Sequence, residues 1–374
     1  MPLHNKFNTT FILGTRPEAI KLAPVIKKFQ DCKHIEVKVI LSGQHEEMVS
    51  QVMSIFNIEA DINLNTLKRC KSIDDLSSEI IKELGKLFKK NRPDIVFVQG
   101  DTITALSASL SAFFNKVPIA HIEAGLRTNN IFIPFPEEAN RRMISQISTL
   151  HFAPTNLALN NLTKFGIKSN VFNSGNTVID ALEIALKENK ISILKKLNIE
   201  KEKYIVVTVH RRENWGDSIK RISQSILEII DQNREYKIVF PLHKNPSVRN
   251  PFHNYLNNNE NIRLIEPLPY LEFIYLLKNS YFVMTDSGGI QEEASTLGKP
   301  SIILRNSTER PEVILNGNGC LVGNDINKIV KTANMLLNDK DIYLSMTKKN
   351  NKFGNGQTSN FVLEKTLEFL RKNQ

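Results

Sequence analysis

Cysteine is scarce in this chain of 374 residues: Cys32, Cys70 and Cys320 stand far apart and lack the paired spacing of a zinc site. That argues for reduced thiols in packing roles and against a disulfide framework or a structural metal. Long apolar runs are missing as well. No stretch of 18 or more apolar residues occurs, and no apolar core follows a basic segment at the N-terminus. Neither a membrane span nor a signal peptide is therefore expected, and the protein reads as cytoplasmic. Also absent are Gly-x-Gly-x-x-Gly, the Walker lysine loop, the Gly-x-Ser-x-Gly elbow and His-Glu-x-x-His. Nicotinamide chemistry, NTP hydrolysis, serine hydrolysis and zinc proteolysis all lose ground accordingly. There is no low-complexity segment and no short-period repeat.

What is present is a basic chain with material for a large core. Apolar residues make up 41% and charged residues 24%, with a formal net charge of +10. A positive surface attracts polyphosphate. The lysines, however, are spread through helical patterns such as 82–90 and 195–203, and no arginine-rich run interleaved with aromatics forms a stacking platform. An anionic small substrate explains the sign without nucleic acid.

Short apolar runs that read as buried strands recur at 10–13, 37–41, 95–99, 119–123, 150–153, 205–209, 237–242, 281–285 and 301–304, most followed by a helical pattern. This alternation implies parallel sheets. The rhythm pauses between 171 and 203, where Gly175-Asn176-Thr177 opens a helix that runs into a lysine-rich segment. The expected division is an N-terminal Rossmann-like domain over 1–172 and a C-terminal one over 173–353. A last helix over 354–374, with Phe361, Leu363, Leu367 and Leu370 at mostly helical spacing, is expected to pack back on the first domain. The length fits two domains of ordinary size.

Ligands of open α/β sheets bind beyond the carboxyl ends of the strands, and polar clusters sit there repeatedly. Gly14-Thr15-Arg16-Pro17-Glu18 has capping-box spacing with proline in the first turn. Arg16 and Lys21 fall within the first two helical turns, where the dipole favours acids, so either a bound anion neutralises them or Arg16 pairs with a local acid and Lys21 is a surface lysine. Gln99-Gly100-Asp101-Thr102 and His121-Ile122-Glu123 each deliver a carboxylate to the same edge, and Pro136-Glu137-Glu138 starts a further helix. Three acids, Asp101, Glu123 and Glu137, near cations suit proton transfer; the alternative is ion pairing with Arg127, Arg141 or Arg142. His210-Arg211-Arg212 ends the strand at 205–209 and suits a phosphate; a packing histidine is the other reading. At Asp286-Ser287-Gly288-Gly289 a strand breaks into a helix whose free N–H groups and dipole suit an anion, with Glu293 one turn on; a plain Ser287 cap is the alternative. His243 and the stretch Arg305 to Glu312 repeat the theme of polar residues after strands, with roles left open.

Nine segments together resemble one family, the bacterial non-hydrolysing UDP-N-acetylglucosamine 2-epimerases. They are Gly14-Thr15-Arg16-Pro17-Glu18-Ala19-Ile20-Lys21, Gly43-Gln44-His45, Gly100-Asp101-Thr102, Glu123-Ala124-Gly125-Leu126-Arg127-Thr128, Pro136-Glu137-Glu138-Ala139-Asn140-Arg141, Gly175-Asn176-Thr177-Val178-Ile179-Asp180, His210-Arg211-Arg212-Glu213-Asn214, Asp286-Ser287-Gly288-Gly289-Ile290-Gln291-Glu292-Glu293 and Thr308-Glu309-Arg310-Pro311-Glu312, in the family's order. The resemblance implies an α/β chain of two doubly wound Rossmann-like domains with a central cleft, like the GT-B glycosyltransferases. It implies interconversion of UDP-GlcNAc and UDP-ManNAc without a redox cofactor, by elimination of UDP to 2-acetamidoglucal and re-addition, with UDP-ManNAc feeding cell-surface polysaccharide. By motif, Asp101, Glu123 and Glu137 become the acid/base candidates, Lys21 organises the acids and His210 assists the leaving group. Arg16 with Ser287, Gly288 and Gly289 would hold the diphosphate, and Glu293 the ribose. A second UDP-GlcNAc as allosteric activator would be met by Gln44, His45, Arg69, Arg211 and His243, and a homodimer is expected, with no metal. Two departures stand out: Glu46 where relatives often carry a basic residue, and Ile103 where they often carry threonine. A hydrolysing epimerase, a GT-B transferase and a nucleotide-sugar sensor are the competing readings.

Overall fold

The computed structural model describes residues 6–44, 46–128, 130–187, 193–349 and 352–373. Seven strands form the first sheet: β1 (Phe7–Leu13), β2 (Ile35–Leu41), β3 (Ile62–Asn63), β4 (Ile95–Gln99), β5 (Ile119–Ile122), β6 (Leu150–Ala153) and β7 (Val171–Asn173). They lie in the order β3-β2-β1-β4-β5-β6-β7, all parallel. The inner strands are buried on both faces, which is why they read as unbroken apolar runs. Behind them Phe11 stacks on Phe97 at 4.5 Å while Phe29 meets both edge-on.

The second sheet comprises β8 (Tyr204–Thr208), β9 (Lys237–Pro241), β10 (Ile262–Ile265), β11 (Val283–Thr285), β12 (Ser301–Ile303) and β13 (Gly319–Leu321), ordered β10-β9-β8-β11-β12-β13 and again parallel. Its core gathers Ile222, Ile226 and Ile229 of the helix Asp217–Gln232 with Phe240, Phe252, Met284, Ile329 and Leu336. Each winding reverses direction once, between β1 and β4 in one sheet and between β8 and β11 in the other. Such reversal points are where open α/β sheets bind ligands.

By contact density the chain divides into two units, Met1–Ala181 with Lys352–Gln374, and Leu182–Asn351. The division falls inside the helix Thr177–Lys187. The physical reason is Asp180, whose carboxylate accepts hydrogen bonds from the N–H groups of Thr358 (3.3 Å) and Ser359 (2.7 Å) at the start of the C-terminal helix Thr358–Lys372. Phe361 of that helix meets Phe172 edge-on at 6.1 Å. Four strands that the apolar runs did not announce, β3, β7, β10 and β13, are the four sheet edges.

Candidate active site

The first cluster begins where β1 ends. A Cβ on Gly14 would lie 2.1 Å from Ser42 Oγ and 2.3 Å from Thr104 Oγ1, so nothing larger than glycine fits. The buried Glu18 carboxylate then accepts from the N–H groups of Gly14 (3.0 Å) and Thr15 (2.8 Å), and from the hydroxyls of Thr15 (2.8 Å) and Thr102 (2.6 Å). Burial pushes this carboxyl up against those donors. The turn fixes the start of the helix Arg16–Gln30, with Arg16 as its first residue and Lys21 buried in its second turn.

Lys21 Nζ lies 2.5 Å from Glu123 Oε1, which also accepts from Asn176 Nδ2 at 2.9 Å; Gln99 Nε2 donates to Oε2 at 2.5 Å. Glu123 stands just beyond β5 with φ +64°, a left-handed conformation that costs a residue bearing a side chain about 1–3 kcal/mol. Gln99 on β4, Lys21 on the helix Arg16–Gln30 and Asn176 just ahead of the helix Thr177–Lys187 hold it there. Its partner is thus a lysine, not one of the three arginines. Gly100 turns beside it at φ +68°, where a Cβ would sit 3.5 Å from Glu123 Oε2, and the next residue is Asp101.

Asp101 does pair with an arginine, Arg141 Nη2 at 2.6 Å, while its carbonyl accepts from Asn140 Nδ2 at 2.8 Å. Both partners lie on the helix Glu137–Ile147. Its second residue, Glu138, is fully buried and accepts from Arg142 Nε at 2.7 Å and from the Thr128 N–H at 3.0 Å, with Arg141 Nη1 at 3.5 Å. Glu138 thus holds the scaffold, and Glu137 beside it keeps Oε2 buried with no hydrogen-bond partner among the described residues. Behind the acids, His121 donates from Nε2 to the Gly100 carbonyl at 2.8 Å; burial holds its pKa down at about 3, so the ring is neutral.

The second cluster straddles the reversal point between β8 and β11. Asp286, fully buried, accepts from the N–H groups of His210 (3.0 Å) and Arg211 (2.9 Å) and from Asn214 Nδ2 (3.0 Å), and lies 3.2 Å from His210 Nδ1. Burial opposes its charge, but His210 and these donors outweigh it and hold its pKa at about 2. With Nδ1 occupied, His210 is oriented to act through Nε2. The His243 ring stacks on it at 5.9 Å.

Ser287 occupies the N-cap of the helix Gly288–Leu297 without a side-chain capping bond, so plain capping does not account for it. The adjacent glycines differ. Gly289 faces open space, as an anion seat requires, whereas a Cβ on Gly288 would lie 2.3 Å from Arg310 Nη1. Gly288 accommodates an arginine on its Cβ side and contributes its N–H to the helix start. Arg310 bonds Glu292 (2.6 Å) and Glu309 (2.8 Å); Arg305 bonds Glu309 (2.6 Å) and Glu213 (2.7 Å). Glu293 accepts from Tyr270 Oη at 3.0 Å.

The residues expected to meet a second ligand fall on both units. Gln44 Oε1 accepts from Thr104 Oγ1 at 3.0 Å, and Arg69 bonds the Leu64 carbonyl (2.7 Å) and Glu79 (2.8 Å), all in the first unit. Arg211 lies 3.7 Å from Glu309, and His243 Nδ1 accepts the Asn245 N–H at 3.1 Å, both in the second unit. His45 lies outside the described residues. Gln99, Asn176, Asp286 and Arg310 are site-forming residues that the candidate set lacked, although three of them lie within quoted motifs.

Residues 27–366 match the family model of UDP-N-acetylglucosamine 2-epimerase. A UDP-N-acetylglucosamine 2-epimerase of Neisseria meningitidis is 45% identical over 365 residues, covering 96% of this chain and 98% of that one. The crystal structure of the N. meningitidis enzyme bound to UDP-GlcNAc superposes with a TM-score of 0.94 at 44% identity, over 97% of this chain and 100% of that one. An S. aureus protein solved as a co-structure with UDP gives a TM-score of 0.93 at 38% identity, over 98% and 97% of the two chains.

Proposed function

Because this chain belongs to the UDP-N-acetylglucosamine 2-epimerase family, we propose that it inverts C2 of UDP-GlcNAc by eliminating UDP and adding it back. A carboxylate takes the C2 proton, the C–H electron pair becomes the C1=C2 double bond of 2-acetamidoglucal, and the C1–O pair leaves with UDP. Protonation of the opposite face and return of UDP to C1 give UDP-ManNAc. The observation that carries this reading is the buried Glu123 carboxylate, gripped on both oxygens by Lys21, Gln99 and Asn176, one strand away from Asp101. Held geometry of this kind is what proton transfer at a weakly acidic carbon requires.

Asp101, Glu123 and Glu137 serve as the acid/base groups, and Lys21 organises Glu123. His210, anchored on Asp286, steadies the departing UDP, the diphosphate being held by Arg16, Ser287, Gly289 and the N–H groups of the helix Gly288–Leu297. Glu293 takes the ribose hydroxyls. The same reading includes a cytoplasmic homodimer that supplies ManNAc units for surface polysaccharide, and a second UDP-GlcNAc acting as activator near Gln44, His45, Arg69, Arg211 and His243.

Incubation with UDP-GlcNAc in D₂O, followed by NMR, tests the reaction: UDP-ManNAc carrying deuterium at C2 is expected. Free ManNAc would mean hydrolysis, and unchanged substrate a sensor or a transferase lacking its acceptor. Asp101→Asn and Glu123→Gln should each lower kcat on the order of 10²- to 10⁴-fold. Asp101→Asn should melt close to the parent, while Glu123→Gln loses stability because buried Lys21 loses its counter-charge. Near-normal turnover in both variants rules out the assignment.

A further inference from the structure

Resting on that reaction, the inference concerns how Glu123 is held. One of its three donors, Asn176, sits where the polypeptide runs toward the second unit, five residues before the division at Ala181. The Asn176 side chain is buried and its amide orientation is fixed: Oδ1 accepts the Val178 N–H at 3.1 Å, which leaves Nδ2 to face Glu123 Oε1 at 2.9 Å. The Asn176 backbone N–H donates to the carbonyl of Phe353 at 2.6 Å, on the segment by which the chain returns from the second unit. Gly175 is pressed against the same segment: a Cβ there would lie 2.8 Å from Thr358 Oγ1 and 3.1 Å from Gly354 Cα, and its φ is +82°. Outgoing and returning segments are thus joined at Asn176, whose side chain ends on the acid/base carboxylate.

We propose that Asn176 is a positioning residue that ties the Glu123 carboxylate to both segments through which the chain passes between its units. Neither Lys21 nor Gln99 does this, since both reach Glu123 from within the first sheet and its helices. The amide is suited to the task because one group caps the helix Thr177–Lys187 while the other donates to the carboxylate.

Two variants separate positioning from capping. Asn176→Ser keeps an oxygen for the Val178 N–H but cannot reach Glu123; Asn176→Asp keeps the shape and the cap but turns the donor into an acceptor. Both should still fold, Asn176→Asp melting lower than Asn176→Ser because it buries a second carboxylate, and both should retain KM for UDP-GlcNAc within about twofold and lose kcat on the order of 10- to 100-fold. The acid limb of the kcat profile is diagnostic. Loss of a donor to its charged form raises the pKa of Glu123, so the limb moves to higher pH in Asn176→Ser, and further in Asn176→Asp, where a second carboxylate faces it. Lys21 on its helix, neutral His121 on β5 and Asp101 just after Gly100, titratable groups near Glu123, are unaltered in both variants. An unmoved acid limb with unchanged kcat in both folded variants overturns the proposal while leaving the epimerase assignment standing. Parent protein that leaves UDP-GlcNAc untouched removes the assignment itself.

Discussion

Two neighbouring glycines at the helix start Gly288–Leu297 answer to different constraints. In Gly288→Ala the new methyl group meets Arg310, which cannot retreat because Glu292 and Glu309 hold it. The expected cost is about 1–3 kcal/mol of stability. Gly289→Ala should melt like the parent and bind UDP more weakly, because its methyl group points into open space. Thermal melts paired with UDP titration calorimetry distinguish them; equal melting losses would contradict the division. Sequence alone could not separate the pair, since Arg310 lies far along the chain. For the same reason Gln99, Asn176 and Asp286 went unrecognised as site-forming. Their meaning lies in partners 24, 53 and 76 residues away, whereas the capping role of Glu18 was legible because Thr15 and Gly14 are three and four residues away.

Elements were legible according to where they sit in their sheets. The nine strands flanked on both sides each contain an apolar run and could be read directly. The edges β3, β7, β10 and β13 are short and half exposed, and their composition carries no such mark. On β5 and β6, His121 and His151 face one another across the parallel pairing, both buried and neutral, with pKa values pushed by burial to about 3 and about 4. An unfolded histidine titrates near 6.5, so here the unfolded chain binds more protons, and stability is complete above that pH and falls as the pH drops below it. Between about pH 6 and 4 each ring should contribute a loss of about 1 kcal/mol per pH unit. Urea midpoints at pH 7 and 5 check this, and His151→Phe should remove about half of the slope.

For the whole molecule, the repeated alternation of strand and helix was visible in the sequence, and two parallel sheets are present. The bonds from Thr358 and Ser359 to Asp180 were not visible, because the partners lie 178 and 179 residues apart. Asp180→Ala leaves two N–H groups at the start of the C-terminal helix without their acceptor, at a cost of about 1–3 kcal/mol. Calorimetry should show the first unit melting about 3–8 °C earlier, with the second unit unchanged; a shared shift would mean that the units unfold as one.

The Lys21–Glu123 pair has a consequence for inheritance. Both side chains are buried at 2.5 Å, so losing the acid strands a cation inside the protein, at about 3–5 kcal/mol. That is a large share of the margin by which a domain stays folded. A descendant with no further use for the reaction would still be under pressure to keep this glutamate. At position 123 persistence through evolution therefore measures foldability as much as chemistry, and Asp101, the more exposed of these two proposed acid/base groups with a side chain 26% open to solvent, is the better witness to use of that chemistry.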